Sequence, residues 1–112
     1  MSKYGARKVC VDGLTFDSKL EYRRWCELKL LERAGEIRDV QRQVKFELVP
    51  AAKGEDGRIE ERPVAYIADF VYTDRDGKQV VEDAKGAKTK EYIIKRKLMR
   101  HVLGIKIREV ER

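Results

Sequence analysis

Histidine and cysteine are scarce in this chain of 112 residues, and their scarcity excludes several classes of metal and redox site. His101 is the only histidine, which excludes a zinc site built on two histidines. Cys10 and Cys26 are the only cysteines, and they form neither a zinc ribbon nor a Cys-X-X-Cys redox motif. Two widely separated cysteines are typical of a reducing compartment, so we expect a cytoplasmic protein.

Long apolar runs are also missing. No segment approaches the ~20 apolar residues of a membrane span, and the first residues, Met1 to Gly5, lack the apolar core of a signal peptide. We therefore expect no association with a membrane. Internal repeats and low-complexity tracts are absent as well, and the length is typical of a single domain covering residues 1–112.

Charge is what the sequence has in abundance. Charged residues make up 41% of the chain, and the net charge is +6. The hydrophobic fraction of 42% is nevertheless too high for a disordered chain. A small basic domain indicates a polyanionic partner, most often nucleic acid, although a solvated charged surface produces the same composition.

Two strand-like runs joined by a turn form the centre of the sequence. Tyr66–Thr73 and Gln79–Lys85 flank a turn that contains Asp76-Gly77, which is a strong signal for a β-hairpin. Each run carries an acid among apolar residues, Asp69 in the first and Asp83 in the second. Lys85 follows Asp83 by two positions, so the two side chains share one face of the strand.

The length of the hairpin loop decides whether the two acids face each other. A two-residue loop would pair Phe70 with Asp83 and turn Asp69 away. A three-residue loop pairs Asp69 with Asp83, and Gly77 supplies the left-handed last residue that this loop requires. We predict the three-residue loop. Because like charges directly opposite each other are destabilising, two carboxylates in this position need a cation between them.

The other elements are predicted from hydrophobic periodicity and from turn residues. Apolar residues at both parities of the central hairpin predict a sheet covered on both faces. Gln43 has the opposite parity to Phe46, so we expect it to face away from the core. The predicted elements are a hairpin at Val9–Phe16, a helix at Ser18–Ala34, a strand at Ile37–Val49, a flexible polar loop at Pro50–Arg62, a strand end at Gly86, a helix at Lys90–Leu103 and a strand at Ile105–Val110.

Glu21 has two interpretations that the pattern leaves open. Ser18-Lys19-Leu20-Glu21 matches a capping box, in which the glutamate bonds back to the start of the helix. Alternatively, Glu21 lies at the margin of the apolar face, beside Trp25 and Leu28, and its carboxylate reaches the same site as Asp69.

These motifs, in this order, resemble the PD-(D/E)XK nuclease superfamily, which has the restriction-endonuclease-like fold, and more narrowly a family of small phage-encoded proteins within it. The resemblance implies an α/β fold in which a short hairpin precedes the order α-β-β-β-α-β, with a mixed sheet flanked by helices. The segments that carry it are Phe16–Glu21, Gly35–Ile37, Gln43–Phe46, Tyr66–Phe70 and Val81–Thr89.

The resemblance also implies roles for individual residues. Asp69 and Asp83 match the two acids that bind the metal, and Lys85 matches the lysine that positions or activates the attacking water. Glu21 matches a helix acid that many members bring to the metal, and the carbonyl of Ala84 matches a further ligand. Ala68 stands where the nominal motif has proline, a position at which many members vary. Glu82 has the wrong parity and would replace Asp83 only if a bulge shifted the register.

The implied activity is that of a Mg²⁺-dependent endodeoxyribonuclease, with Mn²⁺ as a substitute, in the cytoplasm of a bacterial host. A hard divalent ion held by carboxylates neutralises charge on a phosphodiester and lowers the pKa of a bound water. The small phage members further imply a homodimer that acts on branched DNA such as Holliday junctions. The alternatives are a non-catalytic nucleic-acid-binding module of the same fold and a structural phage protein.

Basic residues near both ends of the chain are the predicted contacts with DNA phosphates. A solvated helix face is the alternative explanation for each of them. They are Lys3, Arg7 and Lys8 in an N-terminal arm, Ser2–Lys8, that we expect to be loose, and Lys88, Lys90, Lys97 and Arg100 on or next to the second helix.

Overall fold

A four-stranded sheet and two helices make up most of the computed structural model, which describes residues 8–85 and 87–111. The predicted mixed α/β fold is therefore confirmed. The helices are α1 (Lys19–Arg33) and α2 (Lys90–Leu103), and the strands are β1 (Val9–Val11), β2 (Leu14–Phe16), β3 (Arg38–Val49), β4 (Ala52–Lys53), β5 (Ile59–Glu61), β6 (Val64–Thr73), β7 (Gln79–Ala84) and β8 (Arg108–Val110).

Local capping explains where α1 begins and ends. Ser18 is extended, and its hydroxyl accepts a hydrogen bond of 3.1 Å from the N–H of Glu21. At the other end Gly35 takes a φ of +79°, and the N–H of Glu36 bonds back to the carbonyl of Leu31 at 2.9 Å. The predicted helix is confirmed, with both of its predicted end residues serving as caps.

The main sheet has the strand order β3-β6-β7-β8. The pairs β3–β6 and β6–β7 are antiparallel, and β7–β8 is parallel, so the sheet is mixed. A parallel pair requires a crossover connection, and α2 supplies it between β7 and β8. Thr89 caps α2 by accepting from the N–H of Tyr92 at 3.1 Å.

Both faces of the sheet are covered, as the apolar residues at both parities predicted. One core packs around α2 and includes Tyr66, Val81 and Met99. The other packs against α1 and joins Leu28 to Phe70 and Tyr72. The central strands β6 and β7 are therefore fixed from two sides, which holds rigidly any side chain that they carry.

The structure differs from the sequence prediction in one connecting segment and in the length of the last strand. The predicted loop Pro50–Arg62 contains the short hairpin β4–β5, whose residues are all exposed and whose strands are too short for a periodic pattern. The last strand is shorter than predicted because β8 finds pairing partners only along Glu82–Ala84, while Ile107 is buried in the α2-side core. The predicted strand end at Gly86 and residues 1–7 of the arm lie outside the described residues.

Glu82 faces α1, on the opposite side of the sheet from Asp83. Its carboxylate is fully buried and receives two hydrogen bonds from Arg24, at 2.7 and 2.8 Å, and a third from the hydroxyl of Tyr72. The hydrogen bonds that Arg24 donates to Glu82 raise the pKa of Arg24. The prediction that Glu82 has the wrong parity for the acid site is therefore confirmed, and Glu82 instead ties α1 to β7.

Substitution of Arg24 by alanine is expected to destabilise the fold by about 3–5 kcal/mol, because the carboxylate of Glu82 would remain buried without its partner. Arg23→Ala is the matched control: it removes the exposed arginine next to Arg24 and should change stability by less than about 0.5 kcal/mol. Urea unfolding of the two variants measures both effects. Equal losses of stability would show that the ion pair does not hold α1 to the sheet.

Candidate active site

The register of the β6–β7 hairpin places Asp69 opposite Asp83. The pairs run from Thr73↔Gln79 to Phe70↔Glu82, and the N–H of Asp74 bonds to the carbonyl of Lys78 at 2.9 Å. The predicted three-residue loop is therefore confirmed, with Gly77 at a φ of +80°. One position beyond the last pair, Asp69 and Asp83 face each other.

The two strands separate at this point, and a side chain replaces the backbone ladder. The Oδ2 atom of Asp69 accepts a hydrogen bond of 2.9 Å from the N–H of Ala84. This bond ties the carboxylate of one strand to the backbone of the next and fixes its orientation. The backbone N–H of Ala84 thus orients Asp69. The role of the Ala84 carbonyl as a metal ligand stays a prediction.

Asp83 is held by two neighbours and keeps one oxygen without a hydrogen bond. The hydroxyl of Tyr66 donates to its Oδ2 atom. The ammonium of Lys85 lies 3.3 Å from its Oδ1 atom, and it also lies 4.7 Å from the ring centre of Tyr92. Among the described residues Oδ1 receives no hydrogen bond, although Asp83 is only 1% exposed. A buried carboxylate oxygen without a donor is costly unless a cation compensates it.

Glu21 performs the capping role and approaches the acid pair as well. Its Oε2 atom accepts from the N–H of Asp17 at 2.9 Å, so the carboxylate does bond back to the helix start. Its Oε1 atom accepts from the amide of Gln43 at 3.1 Å, and Arg42 lies 3.7 Å away. Glu21 is only 2% exposed, so its carboxylate points inward. One position of Glu21 therefore allows both the bond to the helix start and an approach of the carboxylate to the acid pair.

Burial and neighbouring acids raise the pKa values of Asp69 and Glu21. Burial raises the pKa of the Asp69 carboxyl well above its ordinary range, and contact with Asp83 and the charge of Glu21 add to the increase. The hydrogen bond from Ala84 opposes it only in part. Burial likewise raises the pKa of Glu21, to which the charge of Asp83 contributes. The charge of Asp83 therefore acts on both Asp69 and Glu21, which places these two carboxyl groups in its electrostatic environment.

The described acids form a close pair with a third carboxylate nearby. Within residues 8–85 and 87–111, no three His, Cys, Asp or Glu side chains converge tightly enough to count as a ready-made metal centre. Magnesium commonly binds through one or two carboxylates and keeps several waters, so such a pair is the donor set that it uses. The Oδ1 atom of Asp83 receives no hydrogen bond among the described residues and has only the Lys85 ammonium beside it, at 3.3 Å, so it retains lone pairs that a hard cation can use.

Sequence reasoning missed Tyr66 and Gln43 as neighbours of the acids. Tyr66 is 4% exposed, and the hydroxyl of a buried tyrosine needs a partner, so an acid on a nearby strand was a usable signal. Gln43 is exposed, as its predicted orientation away from the core requires. Nothing in the alternation of β3 indicated that its amide would nevertheless reach Glu21.

The residues predicted to contact phosphates differ in whether their charge is already paired with an acid. Lys8, Lys90, Lys97 and Arg100 are exposed, whereas Lys88 is ion-paired with Glu109 at 3.4 Å and Glu111 at 3.0 Å. Lys3 and Arg7 lie outside the described residues. The exposed cations of α2 come after β7, which carries Asp83, and after Lys85, and they are available to bind an anion.

The model of the DUF1064 family, described as "Protein of unknown function", matches residues 1–111 of this chain. The chain belongs to the DUF1064 family. Comparisons with curated proteins and with solved structures found no match. The feature of this DUF1064 protein that bears on its chemistry is therefore the geometry of its acid site. No helix among the described residues is long and apolar enough to span a membrane.

The raised pKa of Asp69 makes the stability of this DUF1064 protein depend on pH. The folded state holds the proton of Asp69 more strongly than the unfolded state, so stability is lost as pH rises from about 4 through the raised pKa. Asn in place of Asp69 can accept from Ala84 and donate to Asp83 without carrying charge. We expect Asp69→Asn to stabilise the metal-free protein by about 2 kcal/mol at pH 7, and by less at pH 4.

Urea unfolding between pH 4 and pH 9 in the presence of a chelator measures this difference. Asp12→Asn, the same substitution on an exposed turn, is the control. A gain from Asp69→Asn that stays constant over this pH range would contradict the electrostatic account of the site.

Proposed function

We propose that this protein is a Mg²⁺-dependent endodeoxyribonuclease that hydrolyses DNA phosphodiester bonds. The observation that carries the proposal is the buried pair Asp69 and Asp83, opposite each other on neighbouring strands, with Lys85 at 3.3 Å from Asp83. Buried like charges of this kind reduce stability, and such arrangements are typical of functional sites. Asp69, Asp83 and Glu21 would hold the metal, with the carbonyl of Ala84 as a further candidate ligand.

Carboxylates that hold a divalent cation suit the chemistry of this substrate. When bound, the metal would supply Lewis-acid stabilisation of a phosphodiester and lower the pKa of a coordinated water. The chain's own contribution is orientation: Ala84 fixes the carboxylate of Asp69, and Tyr66 fixes that of Asp83. Donor groups that are held in advance lose little free energy in reorganisation during the reaction.

Lys85 is the proposed catalytic cation of the site. Its ammonium lies against the Oδ1 atom of Asp83 on one side and the ring of Tyr92 on the other. Its side chain is 29% exposed, so it remains open to a substrate while its position is restricted. A lysine in this position can orient the attacking water or stabilise the charge that develops on the phosphate.

We further infer that the core has the restriction-endonuclease-like arrangement of the PD-(D/E)XK superfamily. Support comes from the order of the elements, in which α1 precedes β3, β6 and β7, and α2 precedes β8. It also comes from the position of the acids, which lie where β6 and β7 separate. The hairpin β4–β5 is an insertion between the first two strands of that order.

The partner that we propose is DNA, in accordance with the net charge of +6 and the exposed cations of α2. A homodimer would bring two sites to two strands of a branched substrate such as a Holliday junction, and symmetric dimers are the commonest oligomers. This part of the proposal rests on the resemblance to small phage nucleases.

Cleavage of plasmid, linear, flapped and four-way DNA with Mg²⁺, and with a chelator, tests the activity. Asp83→Asn is expected to reduce the cleavage rate by at least about 100-fold and to leave DNA binding intact, because the substitution removes a metal ligand but no phosphate contact. Asp76→Asn, the same change in the exposed turn of the hairpin, should cleave like the wild type.

The competing hypothesis is a non-catalytic DNA-binding module. It predicts that the wild type binds DNA without metal-dependent cleavage, and that Asp83→Asn tightens binding by removing electrostatic repulsion. A wild type that binds DNA but leaves all four substrates intact with both Mg²⁺ and Mn²⁺ would rule out the nuclease. Weak binding that is insensitive to salt would also exclude the DNA-binding module.

The exposed cations of α2 are expected to contribute phosphate contacts. Alanine at both Lys97 and Arg100 should weaken DNA binding for all sequences and reduce the dependence of log K on log salt by about 1 per lost contact. Lys78→Ala removes an exposed lysine at the opposite end of β7 from Asp83 and should leave the slope unchanged. Titrations at several salt concentrations measure the slopes. Identical slopes for the wild type and the double variant would show that Lys97 and Arg100 of α2 do not contact the DNA.

A further inference from the structure

Gln43 has an unusual backbone conformation in the middle of a long strand. Its φ is +53°, in the left-handed region that few residues other than glycine and asparagine adopt. Such a conformation persists only where the surrounding structure holds it, and it often marks a functional position.

This conformation changes the face of the sheet that β3 presents. Arg42 lies over the ring of Phe16 at 4.1 Å and near Trp25 at 5.6 Å, on the α1 side. Val44 packs instead with the α2-side core. Residues two positions apart on a regular strand share a face, so β3 switches faces at Gln43.

The switch brings two consecutive side chains to the same oxygen. The amide of Gln43 donates to the Oε1 atom of Glu21 at 3.1 Å, and a guanidinium nitrogen of Arg42 lies 3.7 Å from that atom. Consecutive residues of a regular strand point to opposite faces and would not meet in this way. The contact between Gln43 and Glu21 therefore depends on the left-handed backbone.

Gln43 also lies next to the acid pair. The pairs Arg42↔Phe70 and Val44↔Ala68 place it opposite Asp69 in the β3–β6 register. Gln43 is exposed, whereas Glu21 is 2% exposed, so the amide lies on the open side of the buried carboxylate.

We propose that Gln43 is a positioning residue for Glu21 in the phosphodiester hydrolysis described above, and this inference rests on that proposed function. The N–H of Asp17 holds one oxygen of Glu21, and Gln43 holds the other, which fixes the rotation of the carboxylate relative to Asp69. Without Gln43, the carboxylate turns towards Arg42, whose buried Nε atom has no hydrogen-bond partner among the described residues. The existing ion pair between Glu21 and Arg42, at 3.7 Å, then shortens, and Glu21 is lost to the site.

Gln43→Asn tests this role because asparagine keeps the amide and tolerates the left-handed backbone, but is one methylene shorter. The expected result is a fall in kcat of about 10–100-fold, an unchanged KM for DNA and a urea midpoint no lower than that of the wild type. Gln43→Gly, which accepts this φ freely, is the second variant and should give the same loss of kcat. Gln41→Asn, the same change two residues earlier on an exposed part of β3, is the control and should match the wild type.

A double-mutant cycle separates positioning from other effects. Glu21→Gln should lower kcat on its own, and adding Gln43→Asn should then cause little further loss, because the group that Gln43 positions has been changed. The same cycle followed by urea unfolding without metal measures the Gln43–Glu21 contact independently of activity. Non-additive midpoints are expected there.

The outcomes distinguish this inference from the proposed function. A wild type that cleaves DNA, together with a Gln43→Asn variant that keeps its kcat or changes only KM, would overturn the positioning role alone. Fully additive losses in the kcat cycle would also overturn it. A wild type without metal-dependent cleavage would overturn the nuclease and, with it, the role of Gln43 in the reaction.

Discussion

The apposition of Asp69 and Asp83 in the interior is the constraint on which the rest of the structure depends. Two buried carboxylates repel each other and lose hydration, and the raised pKa of Asp69 expresses both costs. Such a pair persists only where stronger interactions hold its two strands in place. The N–H of Ala84 holds the carboxylate of Asp69, and the hydroxyl of Tyr66 holds that of Asp83, so neither side chain can turn away without breaking a hydrogen bond.

The two cores and the ion pair on the other face supply the stability that offsets this cost. Phe70 and Tyr72 pack against α1, while Val81 packs on the α2 side, so the strands that carry the acids are covered on both faces. Glu82 and Arg24 connect β7 to α1 by two short hydrogen bonds. Successive side chains of a strand lie on opposite faces of the sheet. Glu82 therefore forms an ion pair on the α1 side, while Asp83, the next residue of β7, lies in the candidate active site on the other face.

The two helices contribute to the candidate site through Glu21, which lies on α1, and through Tyr92 of α2, which contacts Lys85. Glu21 lies in the first turn of α1 and bonds to the backbone that enters the helix, so the capping bond and the position of the carboxylate are linked. Lys85 follows β7 directly, and its ammonium is held over the ring of Tyr92 on α2. The site is thus assembled from a hairpin and from the starts of two helices, which makes its geometry depend on the packing of the whole sheet.

The sequence alone determined the features that depend on local chemistry. Alternation and turn residues were enough to predict the register that opposes Asp69 and Asp83, because Gly77 suits one loop length better than the other. Capping residues were enough to predict α1. Tertiary structure decided the rest. Contacts between distant segments bring Glu21 near enough to the acid pair for its charge to act on Asp69, give Asp83 a hydrogen bond from Tyr66, and bring the amide of Gln43 to Glu21. A left-handed residue at Gln43 cannot be read from alternation, since it results from packing on both sides of β3 and not from any preference of glutamine.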